Sequence, residues 1–94
     1  GTKIDRYGGF VDKNTGQFRD LGTFVSYKGE PFENRALPPD TKNKPHKSYE
    51  VVKSIPKVNA GKAIPWFNQS GLGVQLETPL PVEDLLARGY LKEI

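Results

Sequence analysis

Prolines and glycines, eight and ten of them in 94 residues, punctuate this chain so often that a long helix has nowhere to form. Proline lacks the backbone N–H and clashes with the preceding turn, and glycine loses the most conformational freedom on folding. Short strands joined by turns are what such punctuation allows. The length suits one domain covering residues 1–94, with a single modest core. Aromatic side chains, five Phe, four Tyr and one Trp, supply much of the bulk for that core. The expected class is α+β: a mainly antiparallel β-sheet with one short C-terminal helix.

The stretch Gly71-Leu72-Gly73-Val74-Gln75-Leu76-Glu77 is the most informative. Two glycines one residue apart make a tight corner and let a ligand approach the backbone closely. Strict alternation follows, the period of a half-buried strand. Val74, Leu76 and Thr78 would share the apolar face, and Gln75 and Glu77 the other. Two readings of that polar pair stay open: a solvated strand face, or a pair directed at a ligand.

Elsewhere, Lys3 to Gly9 reads as a strand closed by glycines, with Ile4 inward and Arg6, taken alone, exposed. Asp12-Lys13-Asn14-Thr15-Gly16 is a turn signal flanked by Phe10-Val11 and Gln17-Phe18, which predicts a small hairpin or ordered loop. Gly22 to Tyr27 is a strand in which Phe24, taken alone, belongs to the core. Phe32 to Leu37 predicts one helical turn stopped by Pro38 and Pro39. Asp40 to Lys47 predicts a surface loop, and Lys47 to Ile55 the clearest strand. Val58 to Phe67 is extended, at a sheet edge where its proline is tolerated. Val82 to Gly89 is the only good helix, with acids in its first turn, Arg88 in its last and Gly89 as cap. Tyr90 to Ile94 is a last strand or tail.

Composition narrows the chemistry. There is no cysteine, so disulfides, thiolate catalysis and cysteine-held metals are excluded. One histidine and no His-Glu-x-x-His pattern leave no metal site to expect. A Ser-His-Asp set could be drawn through His46, but no Gly-x-Ser-x-Gly elbow accompanies it. Phosphate-binding glycine loops are missing too. The net charge of +3 and the lysines from Lys42 to Lys62 could attract an anion, yet no nucleic-acid motif accompanies them, and no run of apolar residues reaches membrane length. Neither nucleic acid nor a membrane is therefore an expected partner. A polar strand pair, two arginines (Arg6, Arg35), aromatics and a glycine corner remain, a set that suits a nucleotide-shaped ligand among other possibilities.

The order of short motifs goes further. Asp5-Arg6-Tyr7-Gly8 is followed by Gly22-Thr23-Phe24-Val25-Ser26, then Asn34-Arg35-Ala36-Leu37-Pro38-Pro39, Pro45-His46-Lys47-Ser48-Tyr49, Ile64-Pro65-Trp66-Phe67, Gly71-Leu72-Gly73-Val74-Gln75 and Asp84-Leu85-Leu86-Ala87-Arg88-Gly89-Tyr90. This succession resembles the NAD glycohydrolase domain of the tuberculosis necrotizing toxin family over essentially the whole chain. The resemblance implies hydrolysis of NAD+, and of NADP+ in many members, to nicotinamide and ADP-ribose, with the dinucleotide as substrate and no cofactor. It implies the C-terminal part of a longer secreted protein that acts in the cytosol of a target cell, and a cognate immunity protein as partner. It places Gln75, Arg6 and His46 in catalytic roles and Arg35, Phe24, Tyr7, Trp66 and Glu77 around the substrate. The chain from Gly8 to Gly22 is longer than the compact family pattern, which is expected to shift the loop bearing Phe24, and Phe24 stands where some members have tyrosine. A silent nucleotide- or partner-binding domain of the same fold, and an ADP-ribosyltransferase using Glu77, are the competing expectations.

Overall fold

The structure, a computed structural model, describes residues 1–65 and 71–94. Eight strands, one α-helix and two 3₁₀ turns follow in the order β1 (Lys3–Tyr7), β2 (Phe10–Val11), β3 (Phe18–Arg19), β4 (Phe24–Tyr27), a 3₁₀ turn (Phe32–Arg35), a second (Pro39–Asn43), β5 (His46–Val51), β6 (Asn59–Lys62), β7 (Val74–Glu77), α1 (Val82–Ala87) and β8 (Leu91–Glu93). Six strands form one sheet in the order β6-β7-β4-β1-β5-β8, and β2 pairs with β3 apart from it. Every pairing is antiparallel, as the sequence predicts.

Alternation along the strands sorts the side chains onto two faces. One face carries Ile4 opposite Tyr49 and Tyr27, Val25 opposite Leu76, and Val51 opposite Leu91. Ile4, Val25, Tyr49, Leu76 and Leu91 join Val82 and Leu85 of α1 in the buried core. Each such aliphatic side chain, fully withdrawn from water, stabilises the fold by roughly 1.5–3 kcal/mol. Burial pushes the Tyr49 phenol up to about 12, with the charges of Asp20 and Glu93 adding to the shift.

The helix is shorter than the expected eight residues because its C-terminus closes early. The Tyr90 N–H donates to the Leu85 carbonyl at 2.9 Å and the Gly89 N–H to the Leu86 carbonyl at 3.2 Å, the paired bonds of a Schellman ending in which Gly89 takes φ +79°. The clearest predicted strand also ends early, at Val51. Beyond it the Val52 N–H turns to the Tyr90 carbonyl at 3.0 Å, leaving the ladder. The expected loop from Asp40 instead holds the second 3₁₀ turn, with Thr41 buried. β6 is the exposed sheet edge expected of its segment. Val74, expected inward, is exposed, because it pairs with edge residue Lys62 beyond the reach of the core.

The long connection after Gly8 is the β2–β3 hairpin, as its turn residues predict. Arg19 donates from Nε to Glu83 Oε1 at 2.9 Å, a bond that holds the Glu83 carboxyl below its usual range. Arg6 donates from Nε to both oxygens of buried Asp20, at 3.0 and 2.8 Å. The Val82 N–H donates to the Gly22 carbonyl at 2.9 Å. Hairpin, helix start and central strand are thereby tied together, and Phe24 enters β4 directly opposite Glu77.

Candidate functional site

The second face of the sheet is polar. Asp5 faces Ser26 and Ser48, Tyr7 faces His46, Phe24 and Asn59 face Glu77, and Gly61 faces Gln75. Among the described residues no helix covers it, and the Phe32–Arg35 turn leans over the β1 end, with Phe32 edge-on to Tyr7 at 5.1 Å between ring centroids. A concave surface results where the sheet meets that turn.

Three adjoining depressions make up the concavity, and Gln75 lines all three. The first brings Gln75 together with Arg6, Tyr7, Phe24, Arg35 and Asp5. The second runs past Arg35 and Leu37 to Lys62 and Ile64. The third lies over β6, among Phe24, Asn59, Gly61 and Glu77. Six of the eight expected site residues thus share one surface. His46 is not among its lining residues, and Trp66 lies outside the described residues.

Phe24 is 44% exposed; as a lone sequence element it reads as core, but it sits on the polar face of the sheet, opposite Glu77, where no layer of the described residues packs over it. Arg6 departs from its isolated reading in the other direction. Its side chain is only 18% exposed, held by Asp20 and by an Nη1 bond to the Phe24 carbonyl at 3.1 Å.

Arg35 is buried more deeply, its side chain 4% exposed. Nε and Nη2 both donate to the Glu30 carbonyl, at 2.9 and 2.6 Å. Nη2 also lies 2.7 Å from Asp5 Oδ1, a contact of charge that is out of line for a hydrogen bond. The guanidinium stands over the Tyr7 ring, 4.8 Å from its centroid. On the same carboxylate, Asp5 Oδ2 accepts the Gly29 N–H at 3.3 Å and meets His46 Nε2 at 3.0 Å. Asp5 itself is 1% exposed. Sequence reasoning placed it only as the neighbour of Arg6. The signal was the Asp-Arg dipeptide in a strand, which sends one charge to each face.

The glycine corner serves a purpose other than close approach of a ligand. Gly71 has φ +62° and its N–H donates to the Glu33 carbonyl at 2.9 Å, while the Gly73 N–H donates to the Asn34 carbonyl at 2.9 Å. A Cβ at Gly73 would collide with the Glu30 carboxylate and lie 2.9 Å from the Asn34 carbonyl. The corner therefore clasps the turn that carries Arg35 and delivers Gln75 beside it. Among the described residues no cluster of three or more His, Asp or Glu side chains is arranged to hold a metal ion, and no helix is long and apolar enough to cross a membrane.

A six-stranded antiparallel sheet with a helix on one face and a glutamine-centred polar concavity on the other defines a small α+β domain with one open site. The chain belongs to the tuberculosis necrotizing toxin family, whose model matches residues 1–94. It is 33% identical, over its whole length, to the conidial surface nicotinamide adenine dinucleotide glycohydrolase nadA of Aspergillus fumigatus (strain ATCC MYA-4609 / CBS 101355 / FGSC A1100 / Af293). The tuberculosis necrotizing toxin, solved in complex with its immunity factor IFT, shares the fold with a TM-score of 0.73 and 25% identity over 97% of this chain. The chain spans less than half of either relative, 38% of the first and 47% of the second.

Proposed function

We propose that this domain is an NAD+ glycohydrolase, accepting NADP+ as well, that cleaves the bond between ribose and nicotinamide. The observation that carries the reading is the meeting of Gln75, Phe24, Tyr7, Arg35 and Glu77 on one concave surface in a chain that matches the family along its whole length. An arginine, an amide, a carboxylate and an exposed ring correspond in chemistry to a pyrophosphate, ribose hydroxyls and a nicotinamide ring.

The reaction asks little of proton transfer. Nicotinamide leaves as its ring nitrogen takes the bonding pair of the C–N bond and loses its positive charge. No general acid is required, in contrast to hydrolysis of an ordinary glycoside by a carboxylic acid and carboxylate pair. The protein must hold the sugar, tolerate positive charge on the anomeric carbon and admit water to it. In this reading Gln75 binds ribose hydroxyls and orients the sugar for the incoming water. Glu77 accepts further hydroxyl hydrogens, and its carboxylate faces the charge that develops. Phe24 gives the nicotinamide a flat apolar partner. Arg35 addresses the pyrophosphate with the guanidinium hydrogens left over from its protein bonds, and Arg6, whose side chain leaves β1 toward the opposite face, orders this end of the sheet through Asp20 and the Phe24 carbonyl. His46 acts from behind Tyr7, through the ring it stacks on and through Asp5. Trp66 is assigned to the pocket wall.

The family further supports a secreted protein whose toxin domain acts in the cytosol of a target cell, and a cognate immunity protein that neutralises it. The test is incubation of the purified domain with NAD+, with nicotinamide and ADP-ribose followed by chromatography. Equal amounts of both, without labelled protein, are expected. Labelled protein would point to transfer, and bound but unconsumed NAD+ to a silent domain.

A further inference from the structure

Both arginines that border the concavity are tied to the protein, Arg6 through two of its five N–H groups and Arg35 through more of them. Arg6 gives Nε to Asp20 and a hydrogen of Nη1 to the Phe24 carbonyl. Arg35 gives Nε and Nη2 to the Glu30 carbonyl, with Nη2 against Asp5. Among the described residues, Nη1 of Arg35 has no protein acceptor. Since Arg35 lines the first two depressions together with Gln75, this one edge is what it can offer an anion. Where the edge lies is fixed by four contacts, and two of them, the Asp5 pairing and the Tyr7 stacking, lead back to a single buried carboxylate.

We propose that Asp5 is a positioning residue of the site. With one oxygen it holds Arg35 and with the other His46, and these two both lie against the Tyr7 ring, His46 at 4.1 Å and 5° from parallel and Arg35 at 4.8 Å. The buried charge keeps the guanidinium plane on the ring and its Nη1 edge toward the ligand. A guanidinium recognises phosphate through its planar fork, so a tilt of the plane loses the match even when the charge stays. Asp5 itself need not touch the substrate. The inference rests on the glycohydrolase reading for its ligand class, a dinucleotide pyrophosphate, but not for its geometry.

An interaction that binds substrate and transition state alike changes KM and leaves kcat. Asp5→Asn, which keeps the shape and removes the charge, is therefore expected to raise KM for NAD+ about tenfold with kcat within about twofold. Affinity for ADP-ribose, measured by calorimetry, should fall by the same factor. Independently of turnover, the Arg35 side-chain resonances should lose the ring-current shift from Tyr7, while those of Arg6 stay in place. Removing one partner of a buried ion pair can also cost the fold. If Asp5→Asn does not fold, His46→Gln decides. It leaves the Arg35 contact standing, and is expected to move the Tyr7 ring resonances and raise KM by a smaller factor. A folded Asp5→Asn protein with unchanged KM and unchanged Arg35 resonances overturns the proposal. So does a loss confined to kcat, or a folded His46→Gln protein whose Tyr7 resonances stay put. A wild-type domain that does not turn over NAD+ refutes the glycohydrolase reading alone, since the resonances still report on Asp5.

Discussion

The imidazole of His46 lies flat against the phenol ring of Tyr7, 4.1 Å between centroids and 5° from parallel, and the two residues are exact cross-strand partners in the β1–β5 ladder. Strand pairing thus supplies the stack without any loop rearrangement, and Asp5 two residues upstream secures it through His46 Nε2.

Gln75 is the residue common to every part of the concavity, and it is only half-buried on a strand next to the sheet edge. Gln75→Ala should leave the melting temperature within a few degrees of wild type and reduce nicotinamide release by at least about a hundredfold, since the role proposed for the amide is orientation of the sugar. Activity that survives the substitution removes Gln75 from the mechanism.

Gly61 stands opposite Gln75 in the β6–β7 ladder, and a Cβ built on it meets nothing within 4 Å. Gly61→Val should fold normally, because an exposed edge strand accepts a β-branched residue. The new methyl groups fill the space beside Gln75 over which the ribose would lie. KM for NAD+ should rise about tenfold or more, read from initial rates. An unchanged KM places the substrate on the Arg35 side of Gln75 instead.

Gly22 is required by Arg6. A Cβ at this position would overlap the guanidinium carbon and both terminal nitrogens. Gly22→Ala should push Arg6 off Asp20, which is 2% exposed, and leave a buried carboxylate without its partner. The expected loss is about 3–5 kcal/mol, the usual cost of breaking a buried pair, measured by urea unfolding.

Tyr49 makes stability depend on pH at the alkaline end. Its phenol is pushed up to about 12 from an ordinary 10.0, so the folded state holds the proton more tightly than the unfolded chain. The contribution is complete below pH 10, then drains away as pH climbs toward 12. Tyr49→Phe should flatten that decline in urea midpoints between pH 9 and 12, by about 1–2 kcal/mol at the upper end. Equal slopes for the two proteins would place the alkaline loss elsewhere.

Much of this was legible from residues alone, for identifiable reasons. Turn formers announced the β2–β3 hairpin, alternation announced β7, and the run from Val82 to Gly89 announced the helix, because each signal is local. Phe24 and Arg6 were misread in isolation because their burial is decided across the sheet: among the described residues Phe24 has no layer above it, and Arg6 has Asp20, fourteen residues away in sequence. The glycine corner was read as the close approach of a ligand, and Glu30 and Asn34 of the protein's own turn are what approach it. Asp5 left the faintest trace, since a carboxylate in a strand signals burial only through partners at Gly29, Arg35 and His46.

The strand order carries a consequence for how the domain comes into being. The first strand of the chain lies inside the sheet, between β4 and β5, and the last strand of all closes on β5. The β1–β5, β4–β7 and β5–β8 pairings join strands distant in sequence, and such pairings make folding slow. Because the concavity draws on β1, β4, β6, β7 and the turn at Phe32–Arg35, a chain still threading, stretched or half-assembled has no site at all, and the surface is whole only once the late strands β6 and β7 have joined the early ones.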